Sequence, residues 1–487
     1  MARHRSRLGG TGRRSPPRAA AGRGGPGRGP ARAVLRRTRH RPHRRPPSGQ
    51  RPRQRPGQRT AVRSLDRFVD TRPLRSSPAF RRLWIGTTAA AFGGQVAVVA
   101  VLYQVWNLTG STVWTGAIGI ATAVPTIVGG IVGGTLADTL DRRRLVLVTT
   151  TVSVLAALSL ALQAVAGAAT VLLVLVLVAA QTSAAAVGAA ARRTFISRLL
   201  PSDLVRAGVA LNHIGFQIAM LTGPAVAGVV LAAGGLRAAY LTDAVGLTVS
   251  LYGVLRLPAI RPQSLADTGT ARAARGGLPA VRATWEGWRY LLRRPVLRGC
   301  LATDLAATVL AMPIALFPAI NAQRFDGEEA TLGLFLSAIA VGGLLAGFTS
   351  GTLTRARRTG RVMLIAAATW GTSLTTFALV DSLPATLACL AVAGAADTVA
   401  VISRGTIVQL STPDAFLGRV SAAEGTVGVA GPGLGNARAG AVAGVTSTAV
   451  SSLTGGLACV LAVAVIAATT PALRRWTPPA PPSTPAT

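Results

Sequence analysis

From Leu83 almost to the carboxyl terminus the chain repeats one pattern: roughly 20 mainly apolar residues, then a short break of arginine, glycine or proline. An α-helix of that length crosses the hydrocarbon core of a bilayer, so each window predicts a membrane span. The windows lie near 83–106, 112–136, 145–166, 169–191, 208–233, 238–257, 299–321, 331–353, 362–380, 384–402, 420–441 and 448–470, which makes twelve. The eleventh is the most polar, carrying Glu424, Asn436, Arg438 and a GPG break at Gly431 to Gly433. The predicted fold class is an all-α membrane protein of twelve transmembrane helices arranged as two six-helix pseudo-repeats.

Composition agrees with the pattern. Half of the 487 residues are apolar and 14% are charged, against about 25% in a soluble protein, which excludes a water-soluble enzyme. The net charge of +36 would suit a nucleic-acid binder, but residues 1–82 hold 25 of the 52 basic residues with only Asp66 and Asp70 in opposition. Residues 1–74, rich in Arg, Pro, Gly and Ala, are expected to be disordered, because they offer too little apolar surface to offset the entropy of ordering. Such an arm either binds anionic lipid or nucleic acid, anchors the topology, or represents translated upstream DNA before a start near Val62 or Leu65. Residues 473–487 are expected to form a second disordered tail.

Basic residues are retained on the cytoplasmic side of a membrane. With the amino terminus inside, the inner segments hold 49 arginines and the outer loops keep Arg237, Arg324 and Arg438. Both termini are therefore expected in the cytoplasm, the chain being multi-pass in the cytoplasmic membrane. The expected domains are a bundle over 75–257, a linker over 258–296 containing an amphipathic surface helix (Val281 to Leu292), and a bundle over 297–472.

Self-comparison places a boundary at the same linker. At an offset of 217, Pro78 matches Pro295, Arg81 matches Arg298, and Gly134, Leu136 and Arg144 match Gly351, Leu353 and Arg361. At an offset of 212, Arg192, Thr194 and Pro201 match Arg404, Thr406 and Pro413. Duplicated halves in transporters place the substrate path between them, near the bilayer midplane.

GGTLADTLDRRR resembles the cytoplasmic loop signature of the major facilitator superfamily between spans 2 and 3, G-x-L-A-D-x-x-G-R-R. Gly134, Leu136, Asp138, Arg142 and Arg143 match it, and Asp141 stands where the family has glycine. The resemblance implies that Asp138 caps or pairs with a helix end across the interface of the halves as part of a gate, and that the arginines hold the loop to the inner surface. In span 5, GFQIAMLTGPAVAG is similar to the glycine-proline signature of proton-coupled drug exporters, with Gly215, Gly223, Pro224 and Gly228 in the matching positions. Over residues 75–475 the order of motifs, including WNLTGS, ARRTFISRLLP and AAYLTDAVG, resembles the enterobactin-exporter-like branch, which also holds macrolide and drug efflux proteins. This implies extrusion of a small hydrophobic or amphipathic compound by alternating access, driven by inward proton movement. Two departures bear on coupling. Span 4 has Gln181 inside and arginine only at its cytoplasmic end, and span 1 has Gln95 where the branch carries an acid.

Ionisable groups within spans are costly and are the first functional suspects. Asp243 in span 6, Asp304 in span 7, Asp397 in span 10 and Glu424 in span 11 are candidates for proton coupling, with Asp304 at suitable depth, ~10 Å above the inner end of its helix. Asp397 could instead pair with Arg404. Candidate substrate contacts are Gln95 and Gln104 in span 1, Asn212 and Gln217 in span 5, and Asn321 in span 7; hydrogen bonding between helices is the alternative for each. Cys300, Cys389 and Cys459 have no metal-like spacing, so no metal site is expected. Without HExxH, a nucleophile elbow or a phosphate-cradling GKS/GKT loop, neither catalysis nor ATP-driven transport is expected, and no cofactor is needed. The expected partners are a small-molecule substrate, protons and membrane lipids, with no nucleic acid, the chain acting as a monomer. The competing readings are a nutrient importer of the same fold and a membrane protein whose basic tail binds nucleic acid or lipid. Asp138→Asn is expected to impair efflux, assayed by substrate retention in cells, while an immunoblot of the membrane fraction stays at the wild-type level.

Overall fold

The computed structural model describes residues 70–167, 169–257, 277–348 and 358–478, apart from the side chains of 138, 277–284, 415 and 422. Most of the two expected tails, residues 258–276 of the linker, and the repeat partners Gly351 and Leu353 lie outside these residues, while the expected linker helix is present as Gly277–Arg293. Among the described residues every regular element is helical.

Among the described residues ten helices are long and apolar enough to cross a membrane. Span 1 is Pro78–Thr109, span 2 Thr112–Thr139, span 3 Arg142–Ala166 and span 4 Val171–Arg193. Val205–Leu255 is assigned as one helix of 51 residues, which at 1.5 Å per residue would reach about twice the thickness of a hydrocarbon core. It is a hairpin. Gly235 sits at φ 63° and ψ −167°, a conformation open to glycine and strained for other residues. On its amino-terminal side, Gly215 and Gly223 pack on Thr88 and Gln95 of span 1, in parallel order. On its carboxyl-terminal side, Ser250 and Asp243 pack on Gly86 and Gly93, in antiparallel order. Spans 5 and 6 are therefore distinct, as the two sequence windows predict.

Span 7 occupies Pro295–Arg324, span 8 Glu329–Phe348, span 9 Thr359–Leu379, span 10 Leu383–Ser411, span 11 Asp414–Val445 and span 12 Thr448–Thr469. Span 11 is absent from the ten because of its polar residues. With it and the hairpin, the count is twelve.

Local signals explain several helix starts. Ser77 and Ser447 accept from the third backbone N–H beyond them, capping spans 1 and 12. Pro78 and Pro295 each open the first span of a half, where a missing N–H costs nothing. Asp141, which replaces the family glycine, caps span 3 by accepting from the Arg144 N–H at 3.1 Å. Just before span 1, hydrogen bonds from Arg72 hold the Asp70 carboxyl below its usual range.

The halves repeat their packing. Spans 2 and 4, 3 and 4, and 3 and 6 pack together, and so do their counterparts 8 and 10, 9 and 10, and 9 and 12. Among the described residues the two most extensive contacts between the halves are crossed, span 2 with span 11 and span 5 with span 8. Both are built from small residues. A Cβ on Gly116 would lie 2.9 Å from the Asn436 carbonyl oxygen, and Gly119 meets Gly433 backbone to backbone. A Cβ on Gly228 would lie 2.8 Å from the Ala330 Cα, and Gly333 packs on Pro224 and Gly228. Glycine permits this approach, which maximises dispersion between helices that gain nothing from hydrophobic exclusion in lipid.

An even number of spans puts the start of span 1 and the end of span 12 on one side, the terminal face. The crossed glycine contacts all lie toward the opposite, far face. There Thr112 Oγ1 also donates to the Gly440 carbonyl at 3.0 Å and Tyr103 donates to Glu329 at 2.6 Å. Nearer the terminal face, Gly130 and Gly134 of span 2, Gly347 of span 8, and Gly418 and Gly425 of span 11 have open space where a Cβ would stand. The interface is closed at the far face and open at the terminal face. Gly119→Val and Gly228→Val are each expected to wedge that seal, at about 1–3 kcal/mol for an overpacked contact. Transport should fall at least about tenfold with normal membrane abundance, and a membrane-impermeant thiol reagent should reach a cysteine placed at Met312 from the far side.

Candidate functional site

Span 7 is not a continuous helix. Pro295–Leu305 is α-helical, Ala306–Leu310 forms a π-turn, and after Met312 and Pro313 the chain passes through the 3-10 turn Ile314–Leu316 into the helix Phe317–Arg324. Pro313 lacks the N–H that would continue the ladder, and Pro318 restarts it as a first-turn proline. A break at membrane depth requires partners for the freed backbone groups, because lipid supplies none. They come from three other spans. Asn436 of span 11 accepts from the Ala315 N–H at 3.0 Å, Thr115 of span 2 donates to the Ala315 carbonyl at 2.8 Å, and Trp370 of span 9 donates to the Ala307 carbonyl at 3.3 Å.

The break forms the wall between two cavities that share Met312, Ile314 and Pro432. One, of about 470 Å³, lies against spans 1, 2 and 4 and is mostly apolar, with Gln181, Thr115, Thr122 and Asn436 as polar points. The other, of about 400 Å³, lies against spans 8, 9, 10 and 11 and reaches Gln95 and Gln217 of the first half. Both sizes fall in the range of small-molecule sites.

The second cavity holds a charged cluster. Arg404 of span 10 forms ion pairs with Asp304 of span 7 and with Glu424 of span 11, the latter at 3.0 Å. Asp304 is nearly buried and its Oδ2 has no hydrogen-bond partner. Asp397 lines the same cavity with an exposed side chain. The predicted Asp397–Arg404 pair is not formed, because carboxylates from spans 7 and 11 take the guanidinium first.

The repeat gives this cluster an internal comparison. At the offsets of 217 and 212, Asp304, Glu424 and Arg404 correspond to Thr87, Asn212 and Arg192, and Asp397 corresponds to Ala185. Burial supports the register, since Phe80 and Leu83 align with buried Leu297 and Cys300, and Gly208 and Leu211 with buried Val420 and Ala423. Thr87 Oγ1 donates to Asn212 Oδ1 at 3.3 Å, a neutral link in the place of the charged one. Arg192 folds back along span 4 to donate to the Ala185 carbonyl at 3.2 Å and to Thr150 at 3.3 Å. Although it sits at the end of span 4 in sequence, it reaches seven residues deeper.

Other expected site residues fall elsewhere. Gln104 is buried among Gln163, at 3.0 Å, and Tyr240, whose hydroxyl donates to it at 2.5 Å; it ties spans 1, 3 and 6 together rather than lining a cavity. Asn321 is likewise buried, donating to the Glu328 carbonyl at 2.8 Å in the turn to span 8. Asn212 lines neither cavity. Gln95 and Gln217 do, with Gln95 donating to the Met220 sulfur at 3.2 Å. Asp243 is 1% exposed and accepts from Gln181 at 2.6 Å, so the cavity meets it only through that amide. Arg438, counted with an outer loop, lies inside span 11 against Gly455. In the span 2–3 turn, Arg142 donates to the Ala137 carbonyl at 3.2 Å and Arg143 to the Leu255 carbonyl at 2.8 Å, satisfying helix ends of the same half. Gly134 and Leu136 lie in the last turns of span 2, and the side chain of Asp138 is outside the described residues.

Comparison with known proteins matches this architecture. Residues 70–483 match the family described as transmembrane secretion effectors. The enterobactin exporter EntS of Shigella flexneri is 26% identical over 410 residues, covering 83% of this chain and 95% of that one. The EntS of Escherichia coli O1:K1 is 25% identical over 408 residues with the same coverage. Among solved structures, a bacterial homologue of the human lysosomal transporter Spinster, inward-facing and unoccupied, superposes with a TM-score of 0.65 at 16% identity, covering 84% of this chain and 100% of that one. The nucleoside transporter NupG gives 0.62 at 15% identity, covering 80% and 98%. Asn436→Ala should leave the Ala315 N–H unpaired at about 1–3 kcal/mol. We expect a lower thermal midpoint for the purified protein, and partial recovery with Asn436→Asp, which keeps the acceptor.

Proposed function

The chain belongs to the transmembrane secretion effector family of the major facilitator superfamily and is a multi-pass membrane exporter; we propose that it carries a small hydrophobic or amphipathic molecule out of the cytoplasm by alternating access, in exchange for protons. The observation that carries this reading is the pair of cavities between the halves, separated by a broken helix whose free backbone groups are held by both halves. Such a break at the midplane suits a substrate site whose walls rearrange when the halves rock. With the terminal face assigned to the cytoplasm by the arginine distribution, the opening faces the compartment from which cargo is collected.

Of the candidate coupling residues, Asp304 and Glu424 share Arg404 and meet the cavity directly or at one remove, whereas Asp243 lies behind Gln181. A carboxylate whose cationic partner moves away as spans 7, 10 and 11 shift would gain a proton, and would lose it when the pair reforms. This ties proton traffic to rocking of the second half. The gate role of Asp138 and the sealing role of Gly215, Gly223, Pro224 and Gly228 belong to the same cycle. The latter three glycines and proline already sit against span 1 or span 8. The EntS relatives are enterobactin exporters, so enterobactin is one cargo to assay.

Everted membrane vesicles test the reading. Energised vesicles should accumulate the exported compound, and a protonophore should abolish that accumulation. Accumulation that survives the protonophore would exclude proton exchange while leaving export intact.

A further inference from the structure

The charge in the cavities is one-sided. Asp304, Asp397 and one guanidinium, Arg404, line the second cavity, and a third carboxylate, Glu424, pairs with Arg404 from outside that lining. Arg404 is engaged by two of the three carboxylates, so Asp397 faces the cavity with neither a hydrogen bond nor an ion pair among the described residues. In the same cavity wall the Asp304 Oδ2 is buried and is also without a partner. Charged groups without partners inside a membrane are retained at a cost, and the fold itself does not require this one. The first half proves the point: at the corresponding positions it has Thr87, Asn212 and Ala185, and it packs in the same arrangement. The remaining wall is mostly apolar, with Leu336, Ile339 and Trp370 in it and Met312 leading into the neighbouring cavity, while Gln95, Gln217, Thr308 and Thr398 are its neutral polar points.

We propose that Asp397 receives the positive end of the transported molecule, with the buried unpartnered oxygen of Asp304 adding negative charge to the same wall, so that the cargo is an organic cation with an apolar body. This rests on the export reading above and names its substrate class. The charged end sits among spans 7 and 10 of the second half, and the apolar body crosses Met312, Ile314 and Pro432 into the uncharged cavity of the first. An anion of the same size meets an excess of negative charge and is rejected. Trp370 adds an aromatic wall of the kind that attracts cations.

Two ions of nearly the same shape and opposite charge, tetraphenylphosphonium and tetraphenylborate, test this with the purified full-length protein in neutral detergent. The cation should bind at least about tenfold more tightly than the anion. Asp397→Asn should weaken cation binding by about tenfold or more, while Asp397→Glu, which keeps the charge, should stay within about threefold of wild type. Melting and gel-filtration profiles matching wild type show that these variants are folded. Equal or preferential binding of the anion, no binding of either ion, or cation binding unchanged in Asp397→Asn would overturn the proposal. The export reading is scored separately. Asp397-dependent cation binding without accumulation of any compound in energised everted vesicles would leave the site standing and count against export. Accumulation of neutral or anionic compounds, with no cation binding, would do the reverse.

Discussion

A backbone that leaves the helix inside a membrane has to find hydrogen-bond partners in protein, and span 7 finds them in three other helices. The Ala315 N–H and carbonyl are held by Asn436 and Thr115, one from each half of the molecule, and the Ala307 carbonyl by Trp370. Much of the remaining arrangement follows. Met312 and Ile314 at the break line both cavities, and two of the side chains that stabilise it, Thr115 and Asn436, stand beside the glycine contact of spans 2 and 11. The same hydrogen bonds that make the irregular segment tolerable therefore link the cavities to the far-side seal.

The seal itself depends on the absence of side chains. In lipid, helices do not gain by hiding apolar surface from water, so close approach and hydrogen bonds must hold the halves together. Gly116, Gly119, Gly433 and Gly440 provide the approach on one side and Gly228 and Gly333 on the other. The polar contacts Thr112 to Gly440 and Tyr103 to Glu329 add direction. Together these contacts fix one register for the closed face.

The spans and the duplication were legible because they are local or periodic. Twenty apolar residues announce a helix wherever it packs, and Pro78 and Pro295 recur at a fixed distance. Even the division at Gly235 could be read from the gap between two windows. The break in span 7 was written in MPIALFP, but the apolar window concealed it, because two prolines cost little hydropathy. Pairing was less legible. Seven residues separate Asp397 from Arg404, a spacing that suggests a pair on one helix face, yet spans 7 and 11 supply competing carboxylates 100 residues before Arg404 and 20 after it. Gln104 and Asn321 read as cavity residues by type and depth, whereas their rotation about the helix axis turns them into the bundle. Arg192 looked terminal by position, although its long side chain turns back along the helix.

Arg324 carries a consequence for how the protein is made. It lies on the far face, donating to the carbonyls of Ala378 at 2.8 Å and Val380 at 2.9 Å at the end of span 9, with Asp381 at 3.4 Å. The ribosome synthesises those acceptors more than fifty residues after the arginine itself. Until span 9 has been made this guanidinium lacks the partners that hold it in the folded bundle, so spans 7 and 9 become mutually secured only once the later helix has emerged.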